Sequence, residues 1–395
     1  MASRVSGITD DVVVLGSGYA GTGAVKRLES ELDDEADITW VSDVDHHLVL
    51  HESHRCIRDP DVREKVTFDV ADIKSPSTRF VQGRVTDVDV DERSVTLEDG
   101  STVDYDYLLV GVGSRTAFFG IEGLEEHSLT LKSLRDALDI HVAVTKAARE
   151  ASRSDPAQVV VGGAGLSGIQ SAGEIAEFRD KHRAPVDIHL VEGLDNVFPN
   201  NDPVVQAKLR KLLEEKDVEI HTGEFIGEVD DGTVYVGDET ELDYDVLLWT
   251  GGITGQAPAE TADVEKDKRS NRIESASDFR TSDERIFAIG DAAIVEQADT
   301  DRPAPPTAQA AWQAAEVAGD NIARAVRGQP LKEWSYDDKG TLISVGEKAV
   351  AHDVKGLPVD TFGGPAARAL KKTIAARWIR KINGFADAAK AFPDM

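Results

Sequence analysis

Two glycine triplets carry the most specific chemistry that can be read from this chain. Gly16-Ser17-Gly18-Tyr19-Ala20-Gly21 follows Val12-Val13-Val14-Leu15, and Gly163-Ala164-Gly165-Leu166-Ser167-Gly168 follows Val159-Val160-Val161-Gly162. Each spells G-x-G-x-x-G between an apolar strand and a helix. In that setting one glycine makes a tight turn, one lets the backbone approach a pyrophosphate, and one lets helix and strand pack closely. The helix N-terminus then faces the anion. One such triplet is a weak signal. Two of them, with Gly290-Asp291 after a further apolar segment, indicate two dinucleotides: a retained flavin and a transient nicotinamide.

A dinucleotide fold also needs an acid on the adenosine ribose, about 20 residues past the glycines. After the first triplet, Ile38-Thr39-Trp40-Val41 reads as the next strand, so Ser42 and Asp43 stand at its end and Asp43 is the nearest carboxylate. After the second triplet the strand 186–192 ends on Glu192. A 2′-phosphate there would meet Glu192 with no adjacent arginine, which favours NADH over NADPH. Four histidines, His46, His47, His51 and His54, fall within nine residues. Helical spacing would group His47, His51 and His54 as metal ligands or proton carriers. Cys56 is the one cysteine. A redox-active cysteine pair, and with it disulfide reduction or cysteine-dependent sulfide oxidation, is therefore excluded.

The elements that must position these groups repeat. Strand, glycine turn and helix are followed by alternating segments at 80–88 and 94–97, then by the strand Tyr107-Leu108-Leu109-Val110, which ends in Gly111-Val112-Gly113. The second half repeats this order: a helix near 131–148, the second triplet with a helix through Glu177, and a meander across Asp231-Gly232. The strand Val246-Leu247-Leu248-Trp249 then ends in Thr250-Gly251-Gly252. Duplication of this kind predicts an α/β fold with two Rossmann-like, three-layer dinucleotide-binding domains, each with a β-meander insertion, plus a small C-terminal α+β domain. The boundaries expected are 1–120 with 259–329 for a discontinuous FAD domain, 121–258 for the NADH domain, and 330–395 for the C-terminal domain.

Composition bounds the rest. The net charge is −29, with 73 acidic against 44 basic residues, which excludes general nucleic-acid binding. Acidity of this extent also suits a halophilic host, where salt screens self-repulsion over about 3 Å at 1 M. No run of about 18 apolar residues occurs, and residues 1–4 carry no apolar signal segment, so a cytoplasmic location is expected. From Gly364 onward the sign reverses, with seven basic residues against two acidic. Leu370, Ile374, Trp378, Ile382 and Phe385 recur there at helical spacing, and Asn383-Gly384 should break the helix. Such a tail suits an anionic membrane surface, docking on the acidic body, or a homodimer contact.

Taken together, these landmarks resemble the type II NADH dehydrogenases, single-subunit flavoenzymes that pass electrons from NADH to quinone without pumping protons. The resemblance runs from Val12 to about residue 362. It rests on the stretches 113–123, 129–134, 287–291, 305–309 and 338–342, and on Ala308-Gln309-Ala310-Ala311-Trp312-Gln313, which matches the family's A-Q-x-x-x-Q quinone motif. The resemblance implies FAD on Gly16, Gly18, Tyr19, Ala20, Gly21, Ser42, Asp43, Val85, Gly113, Asp291 and Ala308. It implies NADH on Gly163, Gly165, Leu166, Ser167, Gly168, Glu192, Gly251 and Gly252. Gln309 and Gln313, one helical turn apart, would address the quinone carbonyls, and Lys339 would supply positive charge. No metal is implied. Two positions depart from the family: Gln170 stands where relatives carry Glu, with Glu174 one turn further as a substitute, and Val112 replaces a common Thr. The function implied is NADH:quinone oxidoreduction, peripheral on the inner face of the membrane. A soluble reductase of a protein carrier such as ferredoxin, or a flavin-binding redox sensor, would share the two cofactor sites.

Overall fold

The computed structural model describes residues 9–392, so the expectation for residues 1–4 falls outside it. The chain divides into two compact units. One comprises residues up to 49, 67–115 and 254–338; the other comprises 50–66, 116–253 and the chain from 339 onward. Residues 50–66 and the C-terminal segment thus belong with the second dinucleotide unit rather than with the first or with a separate body.

The first unit is built on a five-stranded sheet in the order Ile286–Ala288, Tyr107–Val110, Asp10–Leu15, Ala36–Ser42, Arg79–Gln82. All four pairings are parallel. Val12, Val13, Val14 and Leu15 are all buried, which explains why this strand is a continuous apolar run instead of an alternating one. Helix Tyr19–Leu32 returns from the glycine turn and packs on helix Ala308–Val326. Close approach there depends on Gly319, whose missing Cβ would lie 2.7 Å from the Arg27 Cβ.

The segment 80–88 is not one strand of a meander. It divides at Gly83-Arg84: Arg79–Gln82 joins the parallel sheet beside Ala36–Ser42, and the meander consists of Val85–Asp89, Ser94–Leu97 and Thr102–Asp104. At the crossing, a Cβ on Gly83 would sit 2.7 Å from Leu97 Cδ1, so a larger residue there would have to turn the end of that side chain aside.

The second unit repeats the scheme with a four-stranded parallel sheet in the order Val218–Thr222, Val186–Glu192, Ala157–Gly162, Val246–Trp249. Helix Leu166–His182 leaves the second glycine turn. Helix Leu134–Glu150 opens on a capping box, in which Ser133 and Asp136 satisfy each other's backbone donors. The second meander, Ile226–Asp230, Thr233–Val236 and Thr240–Asp243, buries Val229, Val234 and Val236 against Leu247 and Trp249.

The C-terminal segment forms a three-stranded antiparallel sheet, Thr341–Val345, Lys348–His352 and Thr361–Gly363, covered by helix Pro365–Asn383. The helix stops at Gly384 with φ +90°, as the Asn-Gly pair predicted, and a short helix Phe385–Ala391 follows. The expected apolar stripe is divided in its use. Trp378 and Ile382 are buried, whereas Ile374 lies at the surface and Phe385 is 75% exposed. A helix that covers a sheet with its apolar residues cannot also present all of them to lipid. The helix packs on the small sheet through Ala367, which joins Ala349 and Ala351 in one buried cluster.

Candidate functional site

Each glycine in the two turns has a separate task, and the tasks match between turns. Gly16 and Gly163 adopt φ +96° and +91°, where a side chain would be strained. An added Cβ on Gly21 would lie 1.9 Å from the Gly16 carbonyl oxygen, and one on Gly168 would lie 1.8 Å from that of Gly163. The middle glycines, Gly18 and Gly165, have nothing within 4 Å of that point. The open space stands at the helix N-terminus, where backbone N–H groups converge, and fits a pyrophosphate. Both turns therefore suit a dinucleotide, one in each unit.

Around the first turn, residues distant in sequence hold the geometry. The Trp40 indole donates to the Gly16 carbonyl at 2.8 Å, and Ser17 Oγ donates to the His46 carbonyl at 2.9 Å. Ser17 and Ser42 hydroxyls also meet at 2.9 Å, so Ser42 braces the turn, while Asp43 beyond it is exposed. Tyr19 is buried edge-on to His47, with ring centroids 5.3 Å apart. Ala20 must stay small: Gly111 and Gly290 both face its Cβ, at 3.2 and 3.3 Å from where their own would stand. Val85 is buried at the start of the meander, and Gly113 adopts φ +70° with open space beside it.

Asp291 lies in a single 3-10 turn, Gly290–Ala292, followed by a strand. The long helix downstream starts at Ala308 and is capped by Thr307. The Asp291 carboxylate is 3.5 Å from Ser114 Oγ. Its backbone is held by Arg272, which is buried and donates through Nε to the Asp291 carbonyl at 2.9 Å and through the second guanidinium nitrogen to that of Ala293. Arg272 was invisible to sequence reading because no motif surrounds it.

At the second turn, Glu192 is buried and both its oxygens accept backbone N–H groups, Ala164 at 2.8 Å and Leu194 at 3.0 Å. Thr250 Oγ1 donates toward the carbonyls of Gly162 and Gly163, 2.9 Å from each. A Cβ on Gly251 would meet the Trp249 indole at 2.4 Å, and Gly252 adopts φ +78°, a conformation that favours glycine. Leu166 and Ser167 form the first turn of the helix.

Gln309 and Gln313 share one face of helix Ala308–Val326, 3.4 Å apart between Gln313 Nε2 and Gln309 Oε1. Gln313 also donates to the Asp337 carbonyl at 2.9 Å and accepts from the Asp337 N–H at 3.1 Å. Lys339 is exposed and belongs to the second unit.

The histidines do not form one helical group. His47 is in the strand His46–Leu48, with its Nδ1 2.8 Å from the Ser17 carbonyl oxygen and 3.2 Å from Thr22 Oγ1. His51 lies in helix Leu50–Ser53, and His54 approaches Ser344 Oγ at 3.2 Å. Burial lowers the His51 imidazole to about 4, so it is neutral at physiological pH. The backbone between His47 and His51 changes from strand to helix, which removes the spacing that a single helix would supply.

Gln170, at the position of the family's Glu, is buried and donates to Ser344 Oγ at 3.2 Å. One turn on, Glu174 is buried with Arg58 Nε 3.2 Å from its Oε2. Burial pushes the Glu174 carboxyl up to about 7 against the pull of Arg58. Between its ordinary value near 4.5 and 7 the native protein therefore holds a proton that the unfolded chain does not. This contribution to stability is full below that window, is lost as pH rises through it, and is absent above it. Glu174→Gln, a mimic of the protonated acid, should raise the thermal midpoint by about 2–4 °C at pH 8 and leave it unchanged at pH 5. Melting curves of the full chain check this; no gain at pH 8 would mean that the Arg58 pair outweighs burial. Cys56 is buried and its thiol is pushed up to about 12, which leaves it inert.

Residues 10–315 match the model of the pyridine nucleotide-disulphide oxidoreductase family. The type II NADH:quinone oxidoreductase of Staphylococcus aureus is 30% identical, over 96% of this chain and 97% of its own length. Among solved structures, NDH2 of Plasmodium falciparum in complex with NADH superposes with a TM-score of 0.83 at 16% identity, covering 98% of both chains. The sulfide:quinone oxidoreductase of Aquifex aeolicus does so with 0.78 at 19% identity, over 96% of this chain and 93% of that one. At those identities the two structures speak for the fold alone. With a family match across most of its length and a 30% identical relative spanning nearly all of it, the chain belongs to the pyridine nucleotide-disulphide oxidoreductases and, within them, to the type II NADH:quinone oxidoreductases.

Proposed function

We propose that this protein oxidises NADH and reduces a quinone, with FAD retained on the first glycine turn and NADH exchanging on the second. The observation that carries this reading is the pair of matching cradles, one per unit, each with open space over its middle glycine and a helix N-terminus behind it. FAD, when bound, supplies a two-electron carrier that accepts hydride from NADH and releases electrons to the quinone, whose reduction takes up two protons. The protein orients: Trp40, Ser17 and Ser42 hold the first turn, Arg272 holds the backbone at Asp291, and Glu192 with Thr250 holds the second. Gln313 exchanges two hydrogen bonds with the backbone at Asp337, which supports a positioning role for it; in this reading Gln309 addresses the quinone carbonyl and Lys339 supplies positive charge. The lone cysteine supports a route without a thiol relay.

The test is steady-state NADH oxidation with a water-soluble quinone and added FAD, run from dilute buffer to molar KCl. Activity and thermal midpoint should both rise with salt, because the net charge of −29 repels itself until it is screened. Equal behaviour at both extremes would remove the halophilic reading. Reduction of ferredoxin without quinone turnover, or flavin binding with negligible turnover, would replace the quinone assignment.

No helix among the described residues is long and apolar enough to cross a membrane. Access to a lipid-soluble quinone is best served by the exposed apolar side chains of the C-terminal segment, Phe385, Leu357 and Val359. Deleting residues 364–395 would uncover the small sheet, so a point change is the cleaner test. Phe385→Asp should reduce co-sedimentation with anionic vesicles several-fold and leave turnover with a soluble quinone intact; unchanged sedimentation would place the contact elsewhere.

A further inference from the structure

On the second dinucleotide unit, His189, Glu219 and His221 come together on one face of the parallel sheet. His189 lies opposite Glu219 in the pairing of Val186–Glu192 with Val218–Thr222, and His221 is two residues beyond Glu219, so all three side chains emerge on the same side. His189 Nδ1 stands 3.2 Å from His221 Nε2. The two Glu219 oxygens lie 3.6 Å from His189 Nδ1 and 3.5 Å from His221 Nε2. A tetrahedral ion with nitrogen and oxygen ligands at about 2.0–2.1 Å spaces those ligands about 3.3 Å apart. The three donors are already close to that separation. Among the described residues they are the one set of three such side chains close enough to share an ion.

A second shell is also present. The Gln158 side-chain oxygen accepts from His189 Nε2 at 2.9 Å, and its amide approaches Asp187 at 3.4 Å. With Nε2 carrying the hydrogen, His189 Nδ1 presents its lone pair toward His221 and Glu219. Metal-binding histidines are oriented in this way, through the ring nitrogen that does not bind. Two imidazoles and one carboxylate select a first-row divalent ion of the zinc type over magnesium or calcium, which require oxygen donors.

We propose that His189, Glu219 and His221 form a zinc-type divalent metal site, with solvent as the fourth ligand, that clamps the edge strand Val218–Thr222 to the strand ending in Glu192. The donor set does not depend on the identity of the electron acceptor.

The full chain, stripped with EDTA, is titrated with ZnCl2 by calorimetry, and its melting is followed with and without zinc. Binding of one equivalent per chain is expected, with an upward shift of the midpoint of about 2–4 °C and no shift from MgCl2. His221→Ala should weaken binding by more than tenfold, and Gln158→Ala, which removes only the orienting contact, by roughly tenfold. Glu219 is exposed, so Glu219→Gln tests the same site without threatening the fold, and it too should lose affinity and the thermal shift. No saturation at one equivalent, or saturation unchanged in His221→Ala and Glu219→Gln, would overturn the proposal.

Discussion

Gly21→Ala will yield a protein that does not retain flavin, whereas Gly168→Ala will yield one that stays yellow and no longer takes up NADH. In each case the new methyl would stand under 2 Å from a carbonyl oxygen of the same turn, 1.9 Å from Gly16 and 1.8 Å from Gly163. These contacts are with backbone, so no side chain can rotate away. The helix must move off its strand, and with it the N–H groups that cradle the pyrophosphate. A displacement of about 1 Å at such a site is worth about 10²-fold in productive binding. Flavin absorbance after gel filtration reads the first effect. Titration of the flavin spectrum with NADH under anaerobic conditions reads the second. Both variants keep the other turn intact, so the pair separates the two sites. NADH reduction of Gly168→Ala at the parent affinity would show that the second turn does not hold the nicotinamide.

The second large effect is at Glu192. Glu192→Ala should lower kcat/KM for NADH by about 10²-fold, because the buried Ala164 N–H loses its acceptor at roughly 1–3 kcal/mol and the part-buried Leu194 N–H loses its own. Flavin content should stay at the parent level. The interest of the position is that its structural duty changes the specificity experiment. If Glu192 only repelled a 2′-phosphate, Glu192→Arg would convert the enzyme toward NADPH. Its oxygens also hold Ala164 and Leu194. Glu192→Arg should therefore lose NADH activity without gaining NADPH activity, and that failure would not count against a ribose contact. Arginine at the exposed Leu194 beside an intact Glu192 is the cleaner route, with kcat/KM for the two nucleotides as the readout. Full NADH activity in Glu192→Ala would sink both roles.

Much of the architecture was legible in the sequence because its signals are local. Apolar runs such as Val159-Val160-Val161 identify strands buried on both faces, glycines mark turns that no side chain can enter, and Asn383-Gly384 marks a helix end. Where the signals were ambiguous, the error was informative. The alternation through 80–88 fits a meander strand, but its first three residues, with Arg79 before them, pair with Ala36–Ser42 as the edge of the parallel sheet. Histidines spaced for a helix were separated by a change from strand to helix between His47 and His51.

By itself, the sequence determined that this chain has two glycine turns of the dinucleotide type, a single cysteine, an acidic body and a basic end. Each of these follows from residue type and from spacing within a few turns of chain. Only the tertiary structure decided what the polar groups do. It turned Glu192 onto the backbone of its own glycine turn, tied Gln313 to Asp337, held Arg272 against the Asp291 carbonyl and buried Trp378 completely. It also brought His189 to His221 across 32 residues. A buried polar group must find a partner wherever the fold supplies one, and those partners lie far along the chain, beyond the reach of any local pattern.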